Sequence, residues 1–460
     1  MQVPSIDRTL GMKAYAFETP GIGGIIREAV EDFFVEEVLV DGSIARVEKQ
    51  KGAESKVLGA TAHKQRYLLC ALVKRNWDTL SVVLRIAREL GISQTRIQIA
   101  GIKDAKAVTA QHVTIKGVST EEVSKIRIRD VEIRPLGYFR DELAPFYLLA
   151  NRFMVRVKGL KQKETSATKR VAETISQLES SGGIPNFFGH QRFGTKRPIT
   201  HIVGKSIVKK NFEEAAMLFL TQTSKHEHPN SRQARMNFQA DQNFRQASRD
   251  FPRQLRYERV MLSYLTNEPK DFVGAFERLP LKLQELFVQA YQSYLFNLFL
   301  SERLKRGFSL NEPEPGDFVV SLERSGLPIA RTGRITSSET LAETNNLVKA
   351  GRMRIALPLI GTKQKPSEGI MGEIQREILE MEGVEPKNFR IGALRIMSGK
   401  GGLRAIVSPV KEFRIQNIES KEDNPKMHGI ELNFMLLRGS YATMLLREIM
   451  KPRDPVASGF

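Results

Sequence analysis

The chain is almost without cysteine. Its single thiol, Cys70, leaves no intramolecular disulfide and no multi-cysteine zinc site. It stands in Tyr67-Leu68-Leu69-Cys70-Ala71-Leu72-Val73, the setting of a packed core thiol. Long apolar runs are missing too: no stretch approaches a transmembrane span, and the N-terminus has no charged-then-apolar signal pattern. Cofactor signatures are equally scarce. Gly204-Lys205-Ser206 resembles the end of a phosphate loop, but Ile199 occupies the place of its first glycine. Gly21-Ile22-Gly23-Gly24 follows no convincing strand and opens no helix, so a dinucleotide fold lacks support. His226-Glu227-His228 offers two histidines at i,i+2, with no third ligand suggested nearby. The expectation is no metal, no cofactor and no membrane, which leaves any chemistry to side chains alone.

Negative charge is also short. Lys and Arg number 71 against 52 Asp and Glu, a formal charge of +19. That excess favours a polyanionic partner, and in a chain of 460 residues nucleic acid is the first candidate. The length itself suggests roughly two to four domains.

The patterning alternates strands and helices at first. Phe33-Phe34-Val35-Glu36-Glu37-Val38 has strand composition. Trp77 to Leu90 places Leu80, Val83, Leu84, Ala87 and Leu90 on one helical stripe ended by Gly91. Phe153, Val155 and Val157 alternate with a mainly basic face, and a helix is expected over about 165–179. From about Asn211 the chain turns more helical. Arg245, Arg249 and Arg253 recur every four residues, with Pro252 starting a new helix. Gln289 to Arg306 reads as an apolar helix. Strand patterns return at Leu403–Val407 and Leu432–Leu436, and a last helix at Tyr441–Met450 precedes a polar tail expected to fray. The terminal strands can pair with the N-terminal sheet if the middle is an insertion.

Two stretches stand apart. In AGIKDAKAVTAQ (100–111) one carboxylate, Asp104, sits between two strand patterns, on a connection that can display a functional side chain. A turn aspartate beside a glycine is the plain alternative. Asn186-Phe187-Phe188-Gly189-His190-Gln191-Arg192-Phe193-Gly194 interleaves aromatics with amide and guanidinium groups. Aromatic faces stack on extruded bases and the polar groups bond base edges and phosphates, whereas ordinary core packing would explain the rings alone. An aspartate needs no activating base at neutral pH to act as a nucleophile, only a cation to orient it.

Together with Glu31-Asp32-Phe33-Phe34-Val35-Glu36-Glu37, Ala356-Leu357-Pro358-Leu359-Ile360-Gly361 and Arg438-Gly439-Ser440-Tyr441-Ala442-Thr443 ahead of Arg447-Glu448, these stretches resemble the TruD family of transfer-RNA pseudouridine synthases. The matches keep the family's order over about residues 25–450. The resemblance implies an α+β fold: a pseudouridine-synthase catalytic domain, its mixed or antiparallel sheet flanked by helices, interrupted by an inserted, more helical TruD domain. The expected division is 1–210 and 396–450 for the catalytic domain, 211–395 for the insertion and 451–460 for the tail. It implies conversion of a transfer-RNA uridine, at position 13, to pseudouridine. Asp104 falls on the family's nucleophile, Arg27 on its carboxylate partner, and Asn186 and Phe188 on its base-binding pair. Lys103, Gln191 and Arg192 are further candidate RNA or pocket contacts. A cytoplasmic monomer is expected. A non-catalytic RNA-binding protein or another RNA-modifying enzyme remains the alternative.

Overall fold

The computed structural model describes residues 2–48, 57–418 and 429–460. Its large sheet is built from β1 (Phe33–Leu39), β2 (Tyr67–Arg75), β3 (Ile97–Ile99), β4 (Val108–Lys116), β5 (Val131–Phe139) and β6 (Leu148–Lys158). The chain then forms β7 (Ile184–Pro185), β8 (Phe318–Ser321), β9 (Arg334–Ile335), β10 (Met353–Leu359), β11 (Gly402–Ala405) and β12 (Val407–Ser408), and returns to the large sheet with β13 (Val410–Ile418) and β14 (Gly429–Leu437). The order is β13-β14-β6-β1-β4-β2-β5, with β3 beside β4. Only β1 and β4 run parallel in this sheet, which is what the crossover between them allows. The fold is therefore α+β with a mixed sheet, as the resemblance implied.

Patterning explains the register. On β6, Phe153, Val155 and Val157 are buried and the residues between them half-buried, so the alternation fixes which face meets the core. β2 is buried on both faces and carries Cys70 fully enclosed, where burial raises its thiol pKa. Leu432–Leu436 lies within β14 and pairs antiparallel with β6, joining the N-terminal sheet. Leu403–Val407 does not: β11 pairs with β10 in a second sheet ordered β11-β10-β8-β9, and Val407 pairs with Pro185. Strand propensity specifies an extended backbone but not its partner, and Leu403 finds Pro358 across the ladder.

Fourteen α-helices complete the described residues. α1 (Ser5–Thr9) opens the chain, and α2 (Thr79–Glu89), α3 (Thr120–Ser124) and α4 (Glu164–Ser180) follow within and after the N-terminal strands. Between β7 and β8 come α5 (Thr200–Val208), α6 (Phe212–Thr221), α7 (Pro229–Asp241), α8 (Phe244–Asp250), α9 (Arg256–Asn267), α10 (Phe272–Glu277) and α11 (Leu281–Lys305). Then follow α12 (Leu341–Lys349), α13 (Gly369–Glu382) and α14 (Ala442–Met450). The stripe expected on α2 is rotated. Val82, Val83, Ile86 and Ala87 face the core, while Leu80 and Leu84 are exposed. Apolar residues span rather more than half of this helix's circumference, wider than the face it buries, and packing chose which part of that arc meets the core. α11 starts eight positions earlier than its apolar pattern suggested, after Pro280. Each fully buried Leu or Phe of its core face contributes about 1.5–3 kcal/mol. His228 serves as the N-cap of α7, accepting from the Asn230 amide, and Glu227 pairs with Arg235.

The tail does not fray. Phe460 is 5% exposed and packs edge-on against His190. The Ile26 amide donates to the Ser458 carbonyl at 3.0 Å. Composition alone had hidden this docking, because one terminal aromatic and a close-approach glycine do the anchoring. Among the described residues no helix is long and apolar enough to cross a membrane.

Candidate active site

Asp104 sits on the loop between β3 and β4, as the flanking strand patterns indicated. That loop is tied down almost residue by residue. Gln111 Nε2 donates to the Gly101 carbonyl at 3.1 Å. Lys103 exchanges backbone bonds with the Thr79 hydroxyl, and its ammonium reaches Glu37 at 2.6 Å. Burial raises the Glu37 carboxyl, but Lys103 and His112 outweigh it and hold it below the usual range. Lys74 Nζ donates to the Asp104 carbonyl at 2.6 Å and to that of Trp77 at 2.8 Å. Burial pulls this ammonium down to about 8 against the opposing field of Asp104. Such a frame holds a carboxylate in place before substrate arrives.

Arg27 meets it from the other side. Its Nη2 lies 2.6 Å from Asp104 Oδ1, with the Asp104 side chain 30% exposed and Arg27 nearly enclosed. Burial lowers the Arg27 guanidinium, which Asp104 partly restores. The guanidinium also lies 3.9 Å from the Phe33 ring centroid and donates through Nη1 to the Gly459 carbonyl at 2.9 Å. Arg27 itself adopts φ 57°, a left-handed conformation that costs a non-glycine residue about 1–2 kcal/mol. The docked tail and the ion pair hold it there. Asp104 Oδ2 has no hydrogen-bond partner among the described residues.

These groups open on a cavity of about 380 Å³ whose wall includes Arg27, Phe33, Asp104, Asn151, Gln191 and Tyr441. Asn151 was not singled out from sequence, and Tyr441 stood there only within a family motif, with no role at the site. Asn151 lies on β6 with its side-chain oxygen buried and unpaired, a feature that a strand pattern does not reveal. Lys103 also borders the cavity, but its charge is spent on Glu37.

Asn186 and Phe188 do not line this cavity. Phe188 is 7% exposed, its ring 6.4 Å from that of Tyr441. The Arg404 guanidinium lies 4.0 Å from the Phe188 centroid and bonds the Asn186 carbonyl, Asn186 Oδ1 and the Gly439 carbonyl at 3.0, 2.7 and 2.9 Å. Burial draws Arg404 down to about 10. Gln191 reaches the cavity, whereas Arg192 borders another, of about 790 Å³, held by Ser293 and Gln289. Between them and α14 stands a buried charge cluster. Asp7 binds His190 at 2.8 Å and Arg447 at 2.6 Å, and Arg447 binds Glu448 at 3.1 Å. Burial raises Asp7, but Arg447 and His190 bring it below the ordinary carboxylate range. The cluster fixes the His190–Arg192 turn against the last helix.

The arrangement offers one oriented carboxylate with a free oxygen, an adjacent ring and a buried acceptor, in a space fit for a nucleobase. The family model described as "tRNA pseudouridine synthase D (TruD)" matches residues 9–449. A relative from Methanococcoides burtonii carrying the name tRNA pseudouridine synthase D is 35% identical, over 98% of each chain. One from Pyrococcus abyssi with the same name is 36% identical, over 95% of this chain and 98% of its own. A crystal structure from Methanosarcina mazei bearing the TruD name superposes with a TM-score of 0.81 at 35% identity, covering 99% of this chain and 100% of that one.

Proposed function

Since the chain belongs to the tRNA pseudouridine synthase D family, we propose that it converts a uridine of transfer RNA, at position 13, to pseudouridine without a cofactor. The observation that carries the reading is Asp104: a carboxylate clamped by Arg27 on one oxygen and open on the other, at the wall of a base-sized cavity. The target base leaves its stack and enters that cavity, at a cost of a few kcal/mol. Asp104 Oδ2 attacks, and attack on the ring or on C1′ leads to the same net exchange. The C1′–N1 bond breaks, C1′ bonds to C5, N1 takes up a proton and C5 releases one. Arg27 supplies the planar charge-assisted contact that aims the nucleophile.

Phe188 lies behind the cavity wall, beyond Tyr441, so its ring serves for stacking only once the aromatic turn shifts toward the base; Asn186 fixes its position through Arg404. Arg404 covers one face of Phe188, so the base uses the other face or displaces the guanidinium. Asn151 adds a base-reading contact: its unpaired oxygen accepts from uracil N3–H, a donor that cytosine lacks. Residues 1–210 and 396–450 form the catalytic part and 211–395 the insertion. The enzyme works as a monomer in the cytoplasm, where its substrate is processed.

The decisive experiment is tritium release from C5-labelled uridine in transfer RNA with no cofactor added. Release with pseudouridine as product is expected. Tight RNA binding without release would make the protein a binding module instead.

A further inference from the structure

On the insertion, α8, α9 and α10 enclose an open groove of about 600 Å³, lined by Arg253, Arg256, Arg259, Arg278, Tyr264 and Asn267 among others. No carboxylate lines it, and none of the four arginines makes an ion pair among the described residues. The sequence accounts for the segregation. On α9, Arg256, Arg259, Ser263 and Asn267 recur at helical spacing on the outer face, while Glu258, Met261, Leu262 and Leu265 are buried on the opposite one. The helix's one acid is thus withdrawn from the arginines. Glu258 binds Arg197 at 2.9 Å and Arg235 at 2.6 Å, anchoring α9 to the segment after the aromatic motif and to α7. A merely solvated face mixes both signs; this one does not. Asp271 beside it accepts from the Tyr264 hydroxyl at 2.6 Å and caps α10. Arg278 lies 4.8 Å from the Tyr264 centroid, which holds its fork over the groove. Of the sequence stripe Arg245, Arg249 and Arg253, only Arg253 belongs here, because Pro252 separates it from α8.

We propose that this groove binds the phosphate backbone of the substrate RNA at a site separate from the cavity holding Asp104. Four guanidinium forks match phosphate oxygens, and Tyr264 and Asn267 add sugar or phosphate contacts. The groove supplies affinity and register rather than chemistry. The proposal rests on RNA being the substrate.

The test is binding of an unmodified transfer-RNA transcript to the wild-type chain and to the triple variant Arg253→Gln/Arg256→Gln/Arg259→Gln across a salt series. Each phosphate that is no longer neutralised lowers the slope of log affinity against log salt by about 0.7–0.9, so the slope should fall by roughly two to three and Kd should rise about tenfold or more at low salt. The matching Arg→Lys triple should keep most of the slope, and equal melting temperatures show that both variants fold. A glutamine triple that binds within twofold of wild type, with an unchanged slope, overturns the proposal and leaves the groove to a protein partner. The two readings fail separately. Weakened binding without C5-tritium release by the wild type keeps the groove and removes the isomerase. Release with undiminished binding by the triple does the reverse.

Discussion

Gly459→Ala is a small change far from the Asp104 carboxylate in sequence, yet it should act on it through Arg27. Gly459 has φ 90°, and a Cβ added there would stand 2.0 Å from the Ile26 carbonyl oxygen. That neighbour is backbone and cannot swing away. Alanine therefore meets left-handed strain of about 1–2 kcal/mol and a contact that pushes the tail off Ile26. The Ile26–Ser458 bond and the Arg27–Gly459 bond lengthen or break together. A hydrogen bond to a charged group is worth about 1.5–3 kcal/mol. With φ 57° no longer supported, Arg27 relaxes and its hold on Asp104 loosens. If half of that energy is expressed at the transition state, the single-turnover rate falls about fourfold to twelvefold. The assay is single turnover at saturating enzyme, well below the melting temperature, alongside Kd for transfer RNA, which should stay within a few-fold. A double-mutant cycle makes the route explicit: Gly459→Ala should add little to Arg27→Ala, because both remove the same support. Fully additive losses, or a Gly459→Ala rate within twofold of wild type, would refute the chain of reasoning.

Other positions separate the remaining claims. Asp104→Asn should abolish turnover with RNA affinity kept within a few-fold; multiple turnover by the pure variant would remove Asp104 as nucleophile. Phe188→Tyr should outperform Phe188→Leu in single turnover, since stacking is worth about 1–3 kcal/mol per base; Leu performing better, with rate loss tracking melting temperature, would return Phe188 to a packing role. Asn151→Ala should slow uridine isomerisation about tenfold, the loss of one buried acceptor's bond; an unchanged rate would strike the residue from base recognition. For Lys74, the native ammonium titrates near 8 and the free side chain near 10.5. Between those values the unfolded chain holds a proton that the native state has released, so this group's stability contribution rises with pH through that window and is lost as pH falls through 8. Lys74→Met should flatten that slope in urea midpoints from pH 7 to 10, and parallel slopes for the two proteins would count against it.

What could be read from the chain was what local pattern encodes. The strands around Asp104 announce themselves by alternation, and the loop between them is short enough that the carboxylate's place followed. Arg27 as its partner came from likeness to a family, and the 2.6 Å contact now gives that pairing a geometry. The supports were illegible. Lys74 and Glu37 are charged residues inside strands, and only the folded sheet shows that one holds a backbone carbonyl and the other a lysine. Tail docking depends on close backbone approach at Gly459, which no periodicity signals. Arg404 lies on a strand whose partner could not be deduced, so its position over Phe188 was out of reach as well.

Arg404 has a mechanical consequence. It belongs to β11, in the small sheet, yet its guanidinium grips Asn186, the Phe188 ring and Gly439, which lead into the wall around Asp104. The small sheet cannot rock toward the large one as a freely hinged body. Either those bonds break or the aromatic turn and the Gly439 corner travel with it. A ligand that draws the two halves together thus strains the pocket lining in the same stroke, and under the proposed function grip on the RNA is transmitted to the wall around Asp104.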